Sequence, residues 1–86
     1  LKFGNYNSRK LSRKIIDRTM SDMLCIDGDT DAELRGYICS VAFDYDVALS
    51  GYPDGLRMAL LEILDMDQGV RKTHVDQVRE VLRLED

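Results

Sequence analysis

Asp27, Asp29 and Asp31 stand at alternate positions, and of all the residues in this chain they come closest to a metal-binding pattern. They fit ligand positions 1, 3 and 5 of a calcium loop, where carboxylate oxygens converge on a hard cation. The pattern then fails. Ala32 stands where the tight turn needs glycine, and Ile38 stands where a bidentate glutamate should close the coordination sphere. Beside a helix start these acids read more simply as charge favoured by the positive helix end. Zinc lacks ligands, because the single His74 is far from Cys25 and Cys39, and those two are not CxxC-spaced. A cysteine nucleophile served by His74 meets the same objection, and both thiols read as core packing. Asp44/Asp46 and Asp65/Asp67 are carboxylate pairs in a chain rich in acid, which says little about acid–base work. No glycine-rich phosphate cradle is present. The expectation is a protein without catalytic residues, metal or cofactor.

Charge distribution is more informative. The formal net charge is −4, but residues 1–20 hold six basic residues against Asp17 alone, a net +5, and residues 21–86 carry the remaining −9. Either the basic segment neutralises the acidic body, or one of the two meets an oppositely charged partner. Lys10, Lys14 and Arg18 form an i, i+4, i+8 stripe on the outer side of the first helix. Arg13 and Arg18 precede Asp17 and Asp22 by four residues, so part of the charge can be consumed in local pairs of about 0.3–0.5 kcal/mol each.

Residues 61–80 resemble a helix-turn-helix motif in part, with Gly69 and Val70 at the turn and Thr73 opening the second helix. That resemblance implies DNA contacts from Lys72, Thr73, Gln77 and Arg79; on a separate ground, the basic first helix with Lys10, Lys14 and Arg18 is expected to lie along phosphates. Two positions depart from the motif: Asp65 replaces a small residue, and Gln68 replaces an apolar one.

Positioning these residues requires helices. Eighty-six residues make one domain, spanning 1–86, with about 64% of the extended-chain surface buried on folding. The 44% apolar and 33% charged content is that of a folded globular chain. No segment alternates as a strand, so the fold class is all-α, a compact bundle of about four short helices. Residues 1–7 read as an irregular arm. Ser8 caps a first helix to about Cys25, with Ile16, Met20 and Met23 inward. Thr30 and Glu33 form a capping box for a second helix from Asp31 to about Leu49. Its core face is Leu34, Ile38, Val41, Tyr45 and Leu49, and a second apolar strip of Gly36, Cys39, Phe43 and Val47 runs opposite. Gly51 stops it, a third helix runs from Pro53 or Asp54 to Asp67, and Gly69 and Thr73 separate that from a fourth ending near Leu84.

A helix apolar on two sides is central in its fold or covered by another molecule. The leading expectation is therefore a small protein-binding or regulatory module, of homodimer or inhibitor type, that works without catalysis. Its expected contact residues are Gly36, Cys39, Phe43 and Val47, with the acids Asp44, Asp46, Asp65 and Asp67. DNA binding is the alternative. No apolar run spans a membrane and no signal-peptide core is present, so a cytoplasmic chain with reduced cysteines is expected, with no membrane partner.

Overall fold

The computed structural model describes residues 5–25 and 28–84. Among them the fold is all-helical, with five helices where about four are expected: α1 (Asn5–Asp22), α2 (Gly28–Ile38), α3 (Val41–Ser50), α4 (Leu56–Leu64) and α5 (Gln68–Leu84). Residues 5–7, expected in the arm, belong to α1; the rest of that arm, and Ile26 and Asp27, lie outside the described residues. Thr30 sits in the first turn of α2 rather than ahead of it, and Gly69 and Thr73 both lie inside α5. No helix among the described residues is long and apolar enough to cross a membrane.

The extra helix comes from a break in the segment expected to run unbroken from Asp31 to Leu49. Ser40 adopts an extended conformation (φ −91°, ψ 165°) and becomes the N-cap of α3. Its hydroxyl accepts from the Phe43 amide at 3.3 Å and donates to the Tyr37 carbonyl at 2.6 Å, serving both helix ends. Arg57 on α4 completes the junction, donating to the carbonyls of Ile38 at 2.7 Å and Ser40 at 3.1 Å. Its guanidinium also lies over the Phe43 ring, 5.7 Å from the centroid.

This interruption rotates the inward face. Leu34 and Ile38 are buried as expected, but Val41 and Tyr45 are 80% and 66% exposed. Phe43, Val47 and Ser50 point inward instead. Phe43 packs edge-on against Tyr37, with centroids 5.4 Å apart. The rest of the core follows the sequence pattern: Ile16, Met20 and Met23 from α1, Leu56, Leu60, Ile63 and Leu64 from α4, and Val75 and Leu82 from α5. Gly51 ends α3 in the left-handed region at φ +78°, where a side chain is disfavoured, and its amide bonds back to Val47 and Ala48.

A buried arginine fastens the helix ends together. Arg71 on α5 is 4% exposed. Its guanidinium meets both oxygens of Asp31 on α2 at 3.0 and 2.9 Å. It also donates to the carbonyls of Met23 after α1, Leu64 in α4 and Met66 beyond α4, at 3.0, 2.9 and 3.2 Å. All five N–H groups are thereby used, the condition under which so polar a group is tolerated in a core.

Candidate functional site

The expected sites are distributed very differently by the fold. Of the second apolar strip, Phe43 and Val47 lie in the core, whereas Gly36 and Cys39 are exposed on α2 and just beyond its end. The four do not form one surface, because the break at Ser40 separates them. Gly36 does not mediate a close helix approach either: a Cβ built there meets nothing within 4 Å. Both Cys25 and Cys39 are free and exposed, not core packing. Asp31, third of the alternating acids whose calcium-loop pattern fails, is taken by Arg71. Hydrogen bonds from that guanidinium, aided by its charge, hold the Asp31 carboxyl below its usual range against the opposing effect of burial. No group of three or more potential metal ligands occurs among the described residues.

Part of the acidic body is neutralised from within. Asp44 pairs with Arg57 and Asp65 with Arg35. Asp46 accepts hydrogen bonds from Tyr37 and from Ser12. Burial and that carboxylate push the Tyr37 phenol well above its usual pKa. Of the expected acidic contacts, only Asp67 has no side-chain partner among the described residues. Three other described carboxylates share that state, Glu33, Asp54 and Glu62.

The residues of the DNA-reading alternative are divided as well. Lys72 pairs with Asp76 on its own helix. Arg79 faces α1, bonding Asp17 at 3.1 Å and the Ser21 hydroxyl at 2.6 Å. Thr73 and Gln77 are exposed or at a groove edge. Arg18 pairs with Asp22, while Lys10 and Lys14 make no ion pair among the described residues.

Two of the concave features stand out by their lining. One lies between α4 and α5 and has a volume of about 330 Å³. Its walls are Leu56, Ala59 and Ile63 on one side and Val78, Val81 and Leu82 on the other, with Glu62, His74 and Gln77 also in its lining. His74 is half-buried here. Not one lysine or arginine lines it. Asp54 follows the lining residue Pro53 in the chain and Asp67 follows the lining residue Met66, so three of the four unpartnered carboxylates (Asp54, Glu62 and Asp67) are in or next to this groove.

The second feature is a basic cleft of about 380 Å³ between α1 and the turn after α3, lined by Arg9, Lys10, Arg13, Lys14, Asp17 and Tyr52. Arg13 donates to the Ser50 carbonyl at 2.9 Å and lies over the Tyr52 ring, 5.0 Å from its centroid. From the sequence, Arg9, Lys10, Arg13 and Lys14 are all expected in the basic segment, whereas the place of Tyr52 beside them is not. The i, i+4 repeat Arg9–Arg13–Asp17 runs one residue out of step with the Lys10–Lys14–Arg18 stripe. Comparison with protein families, curated proteins and solved structures finds no match to this chain.

Proposed function

We propose that this chain is a non-catalytic protein-binding module that holds an amphipathic helix of a partner protein in the α4/α5 groove. The partner helix is basic beside its apolar stripe. The observation that carries this reading is an apolar trough lined by the unpartnered Glu62 and by no lysine or arginine, with two more unpartnered carboxylates, Asp54 and Asp67, one residue along the chain from its lining. An apolar stripe laid in the trough removes the exposed flank of Val81, 54% accessible, from water. Lysines beside the stripe meet Asp54, Glu62 and Asp67, which favours fast association and rejects acidic helices. The acids first expected to do this, Asp44 and Asp65, are occupied by arginines of the same chain.

Two synthetic 18-residue helices test the reading, both with leucines at i, i+3, i+4 and i+7, one flanked by lysines and the other by glutamates. In fluorescence anisotropy at 100 mM salt the lysine peptide binds at least tenfold tighter, and Val81→Asp removes that binding while the helical circular dichroism is kept. Equal affinity for the two peptides, or binding indifferent to Val81→Asp, refutes the proposal. Self-association of the chain that Val81→Asp abolishes also refutes it, by putting a second copy in the groove.

A further inference from the structure

The basic cleft shares no lining residue with the α4/α5 groove, and it continues past Tyr52. A neighbouring hollow of about 200 Å³ is lined by Tyr52 and Asp17 again, together with Arg79 and Arg83 of α5. The two hollows share those two residues, so they form one track over Tyr52. Six cations line it (Arg9, Lys10, Arg13, Lys14, Arg79 and Arg83), and its one acid, Asp17, is already bonded to Arg79. Arg9, Lys10 and Lys14 have no side-chain partner among the described residues. These exposed cations are solvated by water, and their summed charge is available to a polyanion.

We infer that this track binds a single-stranded nucleic acid, with phosphates against Arg9, Lys10 and Lys14 and a base stacked at Tyr52 and Arg13. The aromatic group is what selects this ligand among polyanions. Arg13 over Tyr52 sets a guanidinium and a phenol ring, both flat, in the floor of a charged channel, and bases stack on such groups irrespective of sequence. The concave form favours a flexible strand over a duplex. A duplex reader needs a projecting helix with free polar side chains, whereas Arg79 is held against α1 and Lys72 against Asp76.

The test is anisotropy of a labelled 12-nucleotide oligo(dT) with the whole chain at 50 and 200 mM salt. Three phosphate contacts give a log–log slope near −2, so affinity falls about twentyfold over that fourfold rise in salt. Lys10→Glu with Lys14→Glu, both exposed positions on α1, is expected to weaken binding at least tenfold at 50 mM with the helical signal intact. Tyr52→Leu is expected to weaken it about tenfold with little change in salt slope, since stacking carries no charge. No binding at 50 mM overturns the inference, as does binding unaffected by the double charge reversal. A duplex of the same length, or poly-glutamate, bound as tightly as oligo(dT) also overturns it, because the cleft would then be a general anion surface.

Discussion

Replacing Arg71 by methionine removes the one group that joins the C-terminal ends of α1 and α4 to the Asp31 carboxylate of α2. The variant keeps much of the side-chain volume and loses five hydrogen bonds, two to Asp31 and one each to the carbonyls of Met23, Leu64 and Met66. Breaking a buried charge pair from one side costs about 3–5 kcal/mol. The low end applies here, because the Asp31 side chain is 32% exposed and water can take over part of its solvation. Stranded carbonyls cost about 1–3 kcal/mol each if they stay dry, and burying the methionine returns about 1.5–3 kcal/mol. With the carbonyls at the low end of their range and the methionine at the high end of its own, the loss is at least about 3 kcal/mol. A chain of 86 residues has roughly 4–13 kcal/mol in total, so a large share of its stability is involved. Urea unfolding followed at 222 nm should show the midpoint fall without a change in slope, and melting should drop by about 12–24 °C. Arg71→Lys should recover less than half, since one ammonium cannot reach four acceptor groups arranged around a planar fork. A loss below about 1 kcal/mol in Arg71→Met, or full recovery by lysine, would show that solvent already satisfies those carbonyls and that the junction is not what fastens the helices.

Asp31 gives the same junction a pH signature. Its folded pKa lies below the unfolded value, so its contribution is fully present above about pH 4 and is lost as pH falls through the folded pKa. Urea midpoints measured from pH 5 to pH 2.5 should therefore decline less steeply in Asp31→Asn than in the parent, and identical slopes would remove Asp31 as a source. Gly36→Ala should stabilise by about 0.5–1 kcal/mol, because the added methyl enters open space on a helix interior, and a melt would detect any loss instead. Gly51→Ala should destabilise by about 1–2 kcal/mol for a left-handed alanine, with some addition from the Arg9 guanidinium 2.9 Å from the new carbon. Phe43→Ala should cost about 3–5 kcal/mol as a cavity in the core, with no change in sedimentation at concentrations where the chain stays folded.

Periodicity alone carries the inward faces of α1, α4 and α5, because helical repeats of Ile16, Met20 and Met23 or of Leu56, Leu60 and Ile63 have only one way to be buried. The break at Ser40 was not legible in that way. A serine among Gly36, Cys39 and Val41 looks like an interior small residue, and the junction it caps is completed by Arg57 from seventeen residues away. The charge split was readable as a choice between neutralisation and docking, but not its resolution, since ion pairs such as Arg35–Asp65 join distant positions. Arg71 did leave a trace. Stepping back four residues from Val75 in the series Val75, Val78, Leu82 lands on it, so an arginine occupies a core position. The α4/α5 groove left none, because it arises from how two helices diverge and not from what they are made of.

The Ser40 break has a consequence for the energy landscape of the chain. Residues 41–50 carry two apolar stripes, Phe43 with Val47 and Val41 with Tyr45, and a helix can present only one of them to a core. Local pattern by itself leaves the two arrangements close in merit, which is a source of frustration. Ser40 and Arg57 act as a phase selector: with the cap formed, α3 starts in the register that buries Phe43, and Arg57 then lies over that ring. Val41 and Tyr45, left in water, are the visible remainder of the arrangement that was not chosen.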